Sequence, residues 1–273
     1  MEKKMKIVVC VKQVPNTNEV RMDPKTGTMM REGIPSIINP DDRNALEEAL
    51  RLKDKLGGNA EVVVLTMGPH QADVALREVL AMGADRAILL CDRKFAGSDT
   101  WATAHALTCA IQKIGEFDLV LCGRQAIDGD TAQVGPQIAE YLDIPQVSYV
   151  QKMEISGDTL TIERALEDGY EVIETHFPCL LTAVKELNVP RYPSIHGIFD
   201  AYGEKDVEVW SADDVGADAS IVGLKASPTN VKRIFTPEPK GKGVLIEGSA
   251  KEAAQSLLGR LREKRIVQYG GNV

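Results

Sequence analysis

Between Lys6 and Leu142 short, uninterrupted apolar runs alternate with stretches of helical period, and this alternation constrains the fold more than any other feature of the chain. The runs are Lys6-Ile-Val-Val-Cys-Val11, Ala60-Glu-Val-Val-Val-Leu-Thr66, Ala84-Asp-Arg-Ala-Ile-Leu-Leu-Cys91 and Phe117 to Cys122. Continuous, aliphatic and short, they suit strands covered on both faces of a parallel sheet. Residues 42–56, 72–82 and 100–114 between them read as helices, the first with Ala45, Leu46, Ala49, Leu52 and Leu56 on one stripe. Asn39 or Asp41 can cap that helix, Pro40 suits its first turn and Gly57-Gly58 stops it. Successive strand–helix–strand units with right-handed crossovers predict an α/β fold with a doubly wound, mostly parallel sheet.

After Pro145 the texture changes. Val147 to Ile155, Thr159 to Arg164 and Tyr170 to Thr175 alternate apolar with polar, and Gly157-Asp158 and Asp168-Gly169 separate them. That pattern predicts a small antiparallel meander over about 146–176. Cys179-Leu-Leu-Thr-Ala-Val184 returns to the main sheet. Val20 to Arg31, around Pro24-Lys-Thr-Gly27, suggests a surface hairpin. Residues 204–243 form a long connection of little periodicity, expected to be an arm lying on a partner. A final helix, Ser249 to Lys264, carries Ala253, Leu257, Leu258 and Leu261 along one side. The organisation expected is a nucleotide-binding domain over 1–203 and a C-terminal arm with its helix over 204–273.

Several function classes are disfavoured. A net charge of −8 and a pI near 5.2 leave no basic face for nucleic acid. Five cysteines without a C-x-x-C pair fit a reducing compartment. No apolar run approaches about 18 residues, and Met1 to Lys6 leads into a strand-length run, so a cytoplasmic protein without a membrane span is expected. The four histidines share no ligand spacing, so no metal site is expected. No G-x-G-x-x-G, Walker-type loop or G-x-S-x-G follows any strand, which leaves no nucleotide hydrolase or nucleophile elbow. Ser98 reads as a helix cap, and Cys122, at the end of an apolar strand, as an un-ionised thiol.

In a doubly wound sheet the ligand lies outside the carboxyl ends of the strands. Four loops meet there: Cys10 to Pro15, Ser36 to Asp42, Thr66 to Pro69 and Gly123 to Val134. The last, Gly123-Arg-Gln-Ala-Ile-Asp-Gly-Asp-Thr-Ala-Gln-Val134, joins a strand to a helix N-terminus, an arrangement that accepts anions on free N–H groups. Its Asp128 and Asp130 suit either helix capping or an acid–base pair, with capping the simpler reading. Pro190 to Asp200 is a proline-bracketed loop rich in apolar residues and a candidate docking surface, with Tyr192, Phe199 and Tyr202 around it.

These residues carry a resemblance. Val11-Lys-Gln-Val-Pro15, Asn39-Pro40 with Glu47 to Lys53, Met67-Gly-Pro69, Ala81 to Arg86, Gly123 to Asp130 with Gln133, Glu163-Arg164 with Asp168-Gly169, Pro178 with Leu180 to Val184, and Leu187-Asn-Val-Pro-Arg-Tyr-Pro193 follow one another in order. In this the chain resembles the beta subunit of electron-transfer flavoprotein, in the branch that also contains the nitrogen-fixation-associated homologue. The resemblance implies a Rossmann-like core and a C-terminal arm embracing an FAD-bearing alpha subunit in an obligate heterodimer. It also implies an adenine nucleotide in this subunit: AMP in the mitochondrial and aerobic type, a second FAD in the NADH-dependent, electron-bifurcating type of anaerobes. Carried over, the cofactor contacts fall at Cys10, Asn39, Pro40, Asp41, Asp42, Met67, Gly123, Arg124, Gln125, Ala126, Ile127, Asp128, Gly129, Asp130, Thr131, Ala132, Gln133 and Val134, and the docking anchor at Ile195, beside Tyr192 and Phe199.

The AMP type commonly has an aromatic residue after Asn-Pro, where this chain has Asp41, and a lysine-rich run after the docking loop, where this chain has the mixed Phe199 to Lys205. With Arg31, Arg43 and Arg124 available for a diphosphate, a second FAD is preferred. The bifurcating type implies NADH as electron donor, ferredoxin or flavodoxin as one acceptor, and an acyl-CoA dehydrogenase reached through the alpha-subunit FAD. The flavins then do the redox chemistry, and no side chain here is required as a catalytic acid or nucleophile. The alternative is a non-bifurcating subunit with structural AMP, carrying electrons from acyl-CoA dehydrogenases to a quinone reductase.

Overall fold

The computed structural model describes residues 4–16, 35–232, 241 and 243–267. The hairpin expected over 20–31, with Arg31, lies outside them. Residues 1–232 form one compact unit and 233–273 a second.

In the first unit nine strands make one sheet. They are β1 (Met5–Cys10), β4 (Ala60–Met67), β5 (Arg86–Leu90), β6 (Leu119–Gly123), β7 (Gln146–Ser156), β8 (Thr159–Ala165), β9 (Tyr170–His176), β10 (Cys179–Ala183) and β11 (Val207–Trp210). Two three-residue strands, β2 (Gln13–Pro15) and β3 (Ser36–Ile38), pair antiparallel apart from it. The order in the large sheet is β11-β5-β4-β1-β6-β10-β7-β8-β9. From β11 to β7 every pairing is parallel, and β7-β8-β9 close the sheet as the expected antiparallel meander.

The continuous apolar runs are explained by cover on both faces. Ile7 and Val9 of β1, with Val62 and Val64 of β4, pack under α1 (Pro40–Lys55) and α2 (Asp73–Met82). Val8, Cys10, Val63 and Leu65 point the other way, under α3 (Thr100–Ile114) and α4 (Val134–Leu142). A period of two would leave one face polar, whereas these strands bury both. The stripe of α1 is buried at Ala45, Leu46, Ala49 and Leu52, while Leu56 lies past the helix end and is exposed.

The first compact unit runs on to residue 232, past the 203 where the arm was expected to begin. Two local expectations are corrected. Val207–Trp210 adds a parallel strand beside β5, and Ala212 and Val222 bury into the core behind it. Residues 223–229 are held by side-chain bonds that have no period: Ser98 Oγ accepts Gly223 N at 2.9 Å, and Asp99 Oδ2 accepts Thr229 N at 2.8 Å. Ser98 therefore does not cap α3; Asp99 does, accepting Ala102 N at 3.1 Å. The stretch expected as a docking loop contains a helix, α5 (Ile195–Gly203), capped by Ser194.

The second unit holds α6 (Ala250–Glu263). A reciprocal capping box between Ser249 and Glu252 starts it, and none of its residues is buried.

Candidate functional site

The strand order reverses at β1. The chain moves from β1 outward to β4 and β5, then crosses to β6 on the other side of β1. The crevice of such a sheet opens at that switch point, outside the carboxyl ends of β1 and β6. Cys10 and Cys122 lie there as register partners. A cleft at this edge is lined by Lys12, Gln13, Ser36, Met67, Gln71 and Asp128, so all four expected loops contribute to it.

The second loop locks the others together. Asn39, fully buried, precedes α1, but its side chain makes no cap bond. Its amide instead donates to Gln125 O at 2.8 Å and its Oδ1 accepts Ile127 N at 3.1 Å. One amide therefore satisfies both polar edges of the 125–127 backbone. Asp42, in the first turn of α1, accepts Lys12 N on Oδ2 at 2.7 Å and Gly123 N on Oδ1 at 3.0 Å. It ties the chain leaving β1 to the chain leaving β6. Burial, only partly opposed by these bonds and by Asn39, pushes its carboxyl up to about 7. Truncating Asn39 to Ala removes both bonds to the part-buried 125–127 backbone. The expected cost is about 1–3 kcal/mol, seen as a lower denaturant midpoint at unchanged slope together with faster proteolysis at 125–130.

Charge in the crevice is compensated in part. Lys12 Nζ sits 2.7 Å from Asp128 Oδ1, Arg124 Nε 3.3 Å from Asp41 Oδ2, and Gln125 donates to Asp130. Burial raises the Asp41 carboxyl against the pull of Arg124. The Arg124 Nε, though close to Asp41, makes no directed hydrogen bond. Asp128 and Asp130 do not cap α4, correcting the simpler reading: the N-cap is Gln133, whose side chain makes no cap bond. Of the first three positions of α4, Val134 and Gly135 carry N–H groups that no side chain caps, and Pro136 has none. Asp130 and Ala132 hold left-handed backbone, each with φ near 53°. Gly129 faces open space.

Of the carried-over residues, Cys10, the Asn39–Asp42 turn, Met67 and the Gly123–Val134 loop converge at this one sheet edge. Arg43 pairs with Glu78 of α2 at 3.3 Å and so does not stand free for a diphosphate. Sequence reasoning missed Lys12 as the cation of the crevice; its position two residues past the β1 terminus was the available signal. The Cys122 thiol is held well above its ordinary value by a hydrogen bond with Cys10 and by burial, so it is no nucleophile. Among the described residues no cluster of three metal-ligating side chains occurs, and no helix is long and apolar enough to cross a membrane.

Outside the cleft, Tyr192, Ile195 and Phe199 are 87%, 78% and 74% exposed. With Ile198 and Tyr202, also exposed, Ile195 and Phe199 form a helical stripe along α5. The buried side of α5 rests on α2 through Ala201 and Gly197, where a Cβ would collide with the Ala81 carbonyl oxygen.

A doubly wound, mostly parallel sheet with a crevice at its switch point defines a Rossmann-like α/β protein. A family model for the electron transfer flavoprotein domain matches residues 26–215. An electron transfer flavoprotein subunit beta of Thermoanaerobacterium thermosaccharolyticum is 62% identical over 263 residues, covering 96% of this chain and all of the relative. The caffeyl-CoA reductase–Etf complex subunit CarD of Acetobacterium woodii is 58% identical, with 96% and 100% covered. Protein FixA of Azorhizobium caulinodans is 46% identical, with 96% and 95% covered. The chain belongs to the electron transfer flavoprotein family, as a beta subunit, and its partner is the corresponding alpha subunit.

Proposed function

We propose that this chain holds a second FAD in the switch-point crevice of an NADH-dependent, electron-bifurcating electron transfer flavoprotein. The observation that carries the reading is a crevice in which Asp41 and Asp128 are each paired with a cation and Asp130 is held by the Gln125 amide, beside a helix, α4, that no side chain caps. The Gly123–Val134 backbone binds the phosphates, Asn39 and Asp42 hold that backbone in place, Met67 borders the ligand, and Cys10 lies at the β1 terminus behind it. Relatives named as a caffeyl-CoA reductase–Etf subunit and as FixA support the bifurcating branch, as does Asp41 in place of an aromatic residue. A flavin bound here supplies hydride acceptance from NADH and electron delivery to ferredoxin or flavodoxin and, through the alpha-subunit FAD, to an acyl-CoA dehydrogenase. The exposed α5 stripe with Tyr192 and Ile195 is the docking face for that dehydrogenase, and the segment after 232 wraps the alpha subunit in the cytoplasm.

The test is a count of cofactors in the purified heterodimer. Two FAD per heterodimer and bleaching of flavin absorbance by NADH are expected. One FAD with one AMP, and no NADH-driven bleaching, defines the AMP-binding, quinone-reductase-linked type instead.

A further inference from the structure

The segment that leads into α5 and carries Tyr192 at the edge of the docking face is not held by regular structure. Among the described residues, no backbone–backbone hydrogen bond is made by 189–193. Val189 and Tyr192, on either side of Arg191, project into solvent at 81% and 87% exposure. Arg191 itself turns inward onto α1. Its backbone N–H and its Nε both donate to Glu47 Oε2, at 3.0 and 2.9 Å, and its Nη2 reaches Glu47 Oε1 at 3.2 Å and Asp54 Oδ2 at 2.8 Å. Just upstream, Asn188 exchanges bonds with Asn44, at 2.8 and 3.0 Å, and donates to Glu48 Oε2 at 2.9 Å.

Glu47 is 4% exposed, in a helix whose exposed positions after Pro40 are charged. A carboxylate there has no role in the crevice, yet it is buried with its oxygens committed to one guanidinium fork and to Arg51. Burying a charge is costly unless it is paired, so the site is built around Arg191. The same helix carries Asn39 and Asp42 at its start, where they hold the crevice loops. One rigid element thus fixes the crevice at one end and the docking segment along its side.

We infer that Arg191 is a positioning residue for electron transfer: its fork on Glu47 and Asp54 sets the apolar stripe at Tyr192, Ile195 and Phe199 in the geometry that the dehydrogenase engages. This inference rests on the docking reading above. Without the fork, residues 189–193 keep their exposed apolar side chains but lose their register against α1. Partner affinity then falls through added conformational freedom, while the crevice is untouched.

The test uses the heterodimer and its acyl-CoA dehydrogenase, with Arg191→Ala, Arg191→Lys, Glu47→Gln and Ile195→Asp. For Arg191→Ala and Glu47→Gln, KM for the dehydrogenase is expected to rise about tenfold, with kcat at saturation within twofold and flavin content unchanged. Arg191→Lys, which keeps the charge but not the planar fork, is expected to fall between. If Ile195→Asp raises KM and the Arg191 and Glu47 variants do not, the docking face stands and the positioning role is overturned. If Ile195→Asp leaves KM unchanged, the docking reading fails and this inference with it. Loss of flavin in step with the rise in KM shows a merely structural role and also overturns it.

Discussion

Gly123→Ala is expected to empty the crevice and lower the melting temperature of the chain by roughly 10 °C. A Cβ at Gly123 would fall into Asp42 Oδ1 and lie 2.6 Å from Asp42 N and 2.7 Å from Asp41 C. Two of these three atoms are backbone in the first turn of α1, so no rotamer change relieves the contact. Either β6 or the helix start must shift, and each shift breaks the Gly123 N–Asp42 bond at 3.0 Å. Overpacking of this kind costs about 1–3 kcal/mol, and the lost bond to a buried carboxylate adds about 1–3 kcal/mol. For a chain of this size each kcal/mol shifts melting by about 2–4 °C. Gly129→Ala is the matched control, because a Cβ there meets nothing within 4 Å. Its melting temperature should stay within about 2 °C, so any loss of flavin in that variant reports a ligand close to the Gly129 backbone. Calorimetry and the flavin-to-protein ratio of the two variants decide the matter. A Gly123→Ala protein that melts normally and retains its cofactor refutes the close approach of α1 and β6.

The contrast between these glycines shows where the sequence was legible. The strands announced themselves because a run such as Ile7 to Val11 must face apolar cover on both sides. Once their order was read, topology alone named the sheet edge and its loops. What periodicity cannot carry is a bond between distant loops. Asn39 resembled a cap, and its amide went to residues 125 and 127 instead. Lys12 and Asp128 are 116 positions apart, and only the closed sheet brings them within 2.7 Å. Asp128 and Asp130 suited capping by composition, yet they serve Lys12 and Gln125. The helix α5 was hidden by Pro190, Pro193 and Gly197, although Ser194 followed by Ile195, Ile198, Phe199 and Tyr202 at helical spacing was the signal for it. Strand β11, four residues long with Val209 exposed, carries too few apolar positions to stand out from the segment around it.

Asp42 should give the stability of this chain a pH dependence opposite to that of an ordinary paired carboxylate. Its folded-state value of about 7 lies above the 3.8 of an unfolded aspartate, because burial penalises the charged form more than Lys12 N, Gly123 N and Asn39 repay it. Between those two values the folded state holds a proton that the unfolded state has released. Stability from this group is therefore fully present below about pH 4 and is lost as pH rises toward 7, at about 1.4 kcal/mol per pH unit at most. Above pH 7 both states are ionised and the contribution is flat. Asp42→Asn removes the titration, keeps one oxygen for Lys12 N or Gly123 N, and leaves the other N–H facing an amide NH₂. The variant should thus be less stable than the parent at pH 5, through the lost hydrogen bond, and should close that gap by pH 8, where the parent carries a buried charge. Urea midpoints of the two proteins, taken in the same buffers between pH 5 and 8, give the difference directly. Asp42 and its coupling to the neighbouring Asp41 set the slope of that difference, and parallel profiles across that range would show that the carboxylate ionises at an ordinary pH and is not held in the buried clamp between β1 and β6.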